Sequence, residues 1–222
     1  MRRGVVNKGV KMKIEIPMDR QEKKLYELEQ IQALVDQNGG LVKTADILAL
    51  GIDYRRILQY MEAGDLRRVK NGYYSTKIKD YSEEELIVTM FADGVLTMES
   101  ALYYYGYLKQ RPAHWRIAVS KNISKSRFSL EYPIVIPYYT EETVLKLGVD
   151  EIEISNRPMK IYTKDRLICD VLKYKDKMEH EDVKEGVLAY IADDSKDVEA
   201  LMEYAKQRKV SRKVMSMIGV WL

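Results

Sequence analysis

Apolar residues recur at three- and four-residue steps between Arg20 and Gln37, at Leu25, Leu28, Ile31 and Val35, with Lys and Glu between them. That is the period of an amphipathic helix, and Asn38-Gly39-Gly40 stops it. A second, short helix is predicted over Thr44 to Leu50, carrying Ala45, Ile47 and Leu48, before Gly51-Ile52 turns the chain toward Asp53, placed as an N-cap. The third predicted helix runs from Tyr54 to about Ala63. Tyr54, Ile57, Leu58 and Met61 form its packing stripe, and Arg55, Arg56 and Gln59 lie opposite. Leu66-Arg67-Arg68-Val69 and Tyr73-Tyr74-Ser75 then flank Lys70-Asn71-Gly72, and Asn-Gly between β-forming runs is the strongest short-range hairpin signal because both positions tolerate positive φ.

The pattern changes after Lys77-Ile78-Lys79-Asp80-Tyr81, where the chain divides into residues 20–80 and 81–222. Ser82 can cap a helix opening on Glu83-Glu84-Glu85, acids that suit the dipole of a first turn. A helix over Glu99 to Tyr107 carries Tyr103, Tyr104, Tyr105 and Tyr107, a run that fits core and half-buried surface. Strands are predicted at Trp115–Val119, Ile134–Tyr138, Glu151–Ile154 and Met159–Tyr162, with a short helix from Glu141 to Leu147 between the second and third. Their alternation suggests a small, mostly antiparallel sheet. Four helical stripes follow: Leu167/Ile168/Val171/Leu172, Val183/Val187/Leu188/Ile191, Val198/Leu201/Met202/Ala205 and Val214/Met217/Ile218/Trp221. Helices grouped after strands give an α+β class.

Composition narrows the function less than the pattern does. With 46% hydrophobic and 32% charged residues, the chain can build cores and stay in solution. No run approaches the ~20 apolar residues that span a bilayer, and the basic leader, residues 1–19, lacks a secretory apolar stretch, so no membrane partner is expected. The single cysteine, Cys169, excludes an internal disulfide and fits a reducing, cytoplasmic compartment. Charge is distributed unevenly. Residues 1–80 hold 16 Lys/Arg against 11 Asp/Glu and the remainder 21 against 23, so the N-terminal part carries the positive excess that attracts polyanions.

Three helices followed by a basic hairpin is the element order of a winged helix-turn-helix, a fold that lays its third helix in the major groove of double-stranded DNA. Arg can bond bidentately to guanine and Gln to adenine. The candidate contacts are therefore Tyr54, Arg55, Arg56 and Gln59 on the third helix, with Lys43, Thr44, Arg67, Arg68, Lys70, Asn71 and Tyr73 around the backbone. The final helices carry Lys206, Arg208, Lys209, Arg212 and Lys213, a possible second basic face or a solvated helix end.

Gly39-Gly40-Leu41-Val42-Lys43-Thr44-Ala45-Asp46, Gly51-Ile52 and the stretch from Gly64 to Tyr74 resemble the AbiEi-type antitoxins of bacterial abortive-infection (type IV toxin–antitoxin) systems. Thr97–Gly106, His114–Ser120 and Ile161–Leu172 look like that family's C-terminal domain, so the resemblance spans roughly residues 20–220. It implies an N-terminal domain that represses its own operon at inverted repeats. It also implies a C-terminal domain that counteracts a nucleotidyltransferase-like toxin, without need of a stable complex.

No phosphate-binding loop, dinucleotide glycine motif or nucleophile elbow appears, and His114 and His180 form no known metal spacing, so neither metal, cofactor nor catalysis is expected. His114 precedes a strand, and His180 is placed in a charged loop. Cys169 lies on an apolar stripe and reads as packing. Asp165 reads as a first-turn dipole partner and Asp170 as a surface residue of the same helix. Two alternatives stay open: a regulator whose C-terminal domain senses a ligand or protein without a toxin, and an enzyme whose catalytic groups assemble from distant positions.

Overall fold

The computed structural model describes residues 19–76 and 81–221. The leader and the predicted division at 77–80 lie outside the described residues. Helix α1 (Arg20–Gln37) opens on Asp19, whose carboxylate accepts from the Gln21 and Glu22 amides while Glu22 returns the bond to the Asp19 amide. It ends on Asn38, after which Gly39 and Gly40 take φ of 68° and 99° and turn the chain into β1 (Val42–Lys43). Helices α2 (Thr44–Ala49) and α3 (Tyr54–Glu62) follow, the second capped by Asp53 as the sequence predicts. The hairpin is β2 (Leu66–Lys70) and β3 (Tyr73–Thr76), and β1 adds to the outer edge of β3 to give a three-stranded antiparallel sheet. Only Gly72 takes positive φ (75°), and the register slips between Arg68 and Lys70, so the turn is carried by one glycine and a bulge.

The buried stripe of α1 is Leu28, Ile31 and Val35, whereas Leu25, one turn earlier, stays 63% exposed because it overshoots the end of the core. Of the expected α2 stripe only Ile47 is buried. In α3 Ile57 is buried and Met61 packs partly buried against the core as expected, while Tyr60 joins them in place of Tyr54 and Leu58. Tyr54 and Leu58 face outward at 49% and 41% exposure.

The second part is α+β, as expected, around a five-stranded sheet of order β6-β5-β4-β8-β7. Its strands are β4 (Val95–Leu96), β5 (Trp115–Ser120), β6 (Val135–Thr140), β7 (Val149–Ile154) and β8 (Arg157–Tyr162). It is mixed rather than mostly antiparallel: β4 pairs parallel with β8 and β5 with β6, while β4–β5 and β7–β8 are antiparallel. The sequence pattern missed β4, which at two residues carries no alternation yet lies at the centre of the sheet. The helices are α4 (Glu83–Met90), α5 (Met98–Tyr104), α6 (Glu142–Leu145), α7 (Lys164–Tyr174), α8 (His180–Ala192), α9 (Val198–Gln207) and α10 (Ser211–Ile218). His180 therefore opens a helix and does not lie in a loop.

Two hydrophobic cores meet on α4. Leu86 belongs to the core that contains Leu28, Ile31 and Tyr74, Ile87 belongs to the core built around the five-stranded sheet, and Met90 packs against both. Contacts at the same boundary reinforce this: the Thr89 hydroxyl donates to the Gly39 carbonyl at 2.8 Å, and Tyr81 donates to the Asp36 carboxylate. Gly39 is favoured by its φ, which L side chains rarely adopt, and a side chain there would also have to displace the Arg157 guanidinium and the Thr89 hydroxyl.

Candidate functional site

The solvent side of α3 presents Tyr54, Arg55, Leu58 and Gln59, with Leu58 one turn from both Tyr54 and Arg55 and Gln59 one turn from Arg55, since residues three and four apart are neighbours on a helix. Arg55 has no ion pair or hydrogen bond among the described residues. Arg56, expected beside Arg55 as a base reader, is instead turned toward α1. Its guanidinium donates twice to the Glu27 carboxylate of α1, at 2.9 and 2.7 Å, and lies over the Tyr60 ring. The Tyr60 hydroxyl donates to the same carboxylate oxygen. The bond from Glu27 raises the Arg56 pKa, and burial together with Glu27 pushes the Tyr60 hydroxyl up to about 12. This trio fixes the rotation of α3 against α1 and turns Tyr54 and Leu58 outward. Glu27→Gln should lower the unfolding free energy by about 1–3 kcal/mol, the cost of weakening charge-assisted bonds at a mostly buried acceptor. An unchanged urea midpoint would show that the trio does not hold α3.

The hairpin cations are engaged by the second part of the chain. The Val69 carbonyl accepts from the amides of Glu131 and Tyr132, at 2.9 and 3.4 Å, so residues 130–132 extend the free edge of β2. Arg67 lies 4.8 Å over the Tyr132 ring, and Arg68 pairs with Glu131 at 3.3 Å while donating to Asn71 at 2.9 Å. Thr44 supports the turn, its amide donating to the Gly72 carbonyl at 2.9 Å. Lys43, Lys70 and Tyr73 line a cleft whose far wall is Thr89 and Met90 of α4. The expected residues thus fall into two groups, the α3 face and the hairpin surroundings. Glu27, Glu131 and Tyr132, which position them, had no sequence signal because their partners are about 30 to 65 residues away.

The expected second basic face loses two members. Arg208 is buried, bonding Asp170 through Nε at 2.7 Å and Nη2 at 2.6 Å, and Lys213 donates to the Lys173 carbonyl at 3.3 Å. Lys206, Lys209 and Arg212 remain exposed. Asp170 is no surface residue: it also pairs with Arg166, and all three side chains are buried. Asp165 is buried too, accepting from the Tyr190 hydroxyl at 2.8 Å and from the Asp197 amide at 3.0 Å. Cys169 is buried as expected, and desolvation pushes its thiol up to about 12.

Asp193 accepts from the Lys164 ammonium (2.7 Å), the Ser195 hydroxyl (2.6 Å) and the Tyr107 hydroxyl (2.5 Å), and these bonds hold its carboxyl well below the usual range. A depressed folded-state value contributes stability above the unfolded pKa of about 4, and that stability is lost as pH falls. Asp193→Asn should therefore be less stable than wild type at neutral pH, with the gap closing below about pH 4. A gap independent of pH would show that charge is not what matters.

No helix among the described residues is long and apolar enough to cross a membrane. A comparison with curated proteins finds no match. Residues 29–76 match the family described as "Transcriptional regulator, AbiEi antitoxin". That stretch runs from the middle of α1 to the end of β3 and so contains the α3 face and the hairpin. Over this N-terminal unit the protein is similar to the AbiEi antitoxin transcriptional regulators, the family that its sequence motifs resemble.

Proposed function

We propose that residues 20–80 are a winged helix-turn-helix and that the protein binds double-stranded DNA as an autorepressing antitoxin. The observation that carries this is the outward face of α3, with Arg55 and Gln59 unencumbered beside a hairpin bearing Arg67 and Arg68. In this assignment Arg55 and Gln59 bond base edges, Tyr54 and Leu58 lie against the groove, and Arg67, Arg68 and Asn71 meet phosphates. Arg56 orients the helix through Glu27. The similarity of residues 29–76 to antitoxin regulators supports the transcriptional role.

The second part of the chain, by the same proposal, counteracts a nucleotidyltransferase-like toxin in the cytoplasm without catalysis and without need of a stable complex. The test has two arms. The full chain should shift a duplex taken from upstream of its own gene, with affinity falling steeply as salt rises, by roughly 0.9 decades per decade of salt for each phosphate contact. Co-expression with the product of the adjacent gene should restore growth that the product alone stops. Failure to bind the upstream duplex at low salt removes the repressor role. Growth arrest unrelieved by the protein removes the antitoxin role, leaving a regulator that senses some other partner.

A further inference from the structure

The cleft between the hairpin and α4 has a volume of about 470 Å³, within the size range of small-molecule sites. Leu41 and Met90 supply apolar surface, Tyr73 forms one wall, and Lys43 and Lys70 converge on it. Among the described residues neither lysine is in an ion pair, and the Lys70 ammonium lies 4.2 Å over the Tyr73 ring. Asp46 also lines the cleft, its carboxylate accepting from the Lys43 amide at 3.3 Å, so the lining carries two ammonium groups against one carboxylate. Burial lowers the Lys70 pKa, and the positive charges of Arg127 and Lys43 lower it further, which marks a local excess of cations. Arg127 is itself committed to Asp93, with one bond at 2.7 Å.

We infer that this cleft binds a mononucleotide, its phosphate between Lys43 and Lys70 and its base against Leu41 and Met90. A phosphate monoester carries nearly two negative charges near neutral pH, which matches two ammonium groups. The flat face of the base matches the apolar surface beside them. A duplex is too wide to enter a space of this size, which Thr89 and Met90 line opposite the hairpin. The ligand would touch both cores at once, since Met90 packs against each. The inference does not depend on the DNA-binding proposal.

The test is thermal unfolding of the full chain at constant ionic strength with AMP, with adenosine and with inorganic phosphate. AMP at about a hundredfold its Kd should raise the Tm by about 5–10 °C, and adenosine or phosphate alone by far less. Lys43→Ala/Lys70→Ala should unfold close to wild type without ligand, because both side chains lie at the surface of the cleft, and should lose the response to AMP. Equal responses to AMP and adenosine, equal responses to AMP and phosphate, or an undiminished response in the double variant would each overturn the inference. If the double variant misfolds, Lys70→Met alone and an equilibrium dialysis of AMP against wild type decide the question: no retained AMP sinks it. AMP binding without duplex binding would leave this site standing and remove the DNA-binding proposal. Duplex binding without AMP binding would do the reverse.

Discussion

Asp170→Ala should be the most damaging single substitution in the second core, lowering the unfolding free energy by about 3–5 kcal/mol and the Tm by about 10 °C or more. Arg166 is 0% exposed and Arg208 6%, and both guanidiniums take their carboxylate from Asp170, itself 4% exposed. Removing that acid leaves two desolvated cations with no compensating charge, and the penalty is the lost compensation rather than the lost attraction. Arg166 gains some relief from the Tyr162 ring, 4.4 Å away, but a ring face offers far less than a carboxylate. Replacing all three members by apolar residues of similar size should cost much less than the single change, because no charge is then stranded. Chemical unfolding of the single and triple variants distinguishes the two situations. If Asp170→Ala unfolds within about 1 kcal/mol of wild type, the trio is not a closed charge cluster.

The same trio shows where sequence reading stops. Asp170 follows Arg166 by four residues, a spacing typical of a solvated helix pair, and Arg208 sits near exposed Lys206 and Lys209 in the chain. Nothing local says that α7 is buried on nearly every side, from Asp165 to Leu172. That burial comes from packing against α5, α8, α9 and α10, contacts set by long-range topology. The helix order, the caps at Asp53 and Ser82 and the Asn-Gly hairpin were legible because each depends on neighbours within a few residues. The two-residue strands β1 and β4 were not, because a period of two cannot be seen in two residues. The parallel pairing of β4 with β8 was missed with β4 itself, and that of β5 with β6 because the direction of a strand is set by the path of its connection and not by its own pattern.

Within the candidate site the charged residues were legible, while their division into reading and positioning roles was not. Arg55 and Arg56 are equivalent by sequence, yet Glu27, 29 residues before Arg56, holds one and leaves the other free. Tyr60, which periodicity left off the apolar stripe, packs inward because its hydroxyl finds that same carboxylate. A buried tyrosine with a partner for its hydroxyl can displace a leucine from a core position, and here it turns Leu58 out.

That division separates the consequences of two neighbouring substitutions. Arg55→Ala should weaken binding to the upstream duplex by about 5- to 150-fold, the equivalent of the 1–3 kcal/mol of a bidentate base contact, and should flatten preference at one base pair. Arg55→Lys should not restore it fully, since an ammonium cannot reproduce the planar fork. Arg56→Ala should leave the base preference in place and act chiefly on stability, because it strands Glu27 beside Tyr60. Substitutions at Arg67 or Arg68 should cost less than Arg55→Ala and cost it equally on all sequences, because contact with a phosphate must compete with Tyr132 and Glu131. Titrations of these variants at fixed salt, against the upstream duplex and a scrambled one, resolve the roles. Loss of base preference in Arg56→Ala with none in Arg55→Ala would mean that α3 turns its other side to DNA, and the Glu27 trio would then have to open on binding.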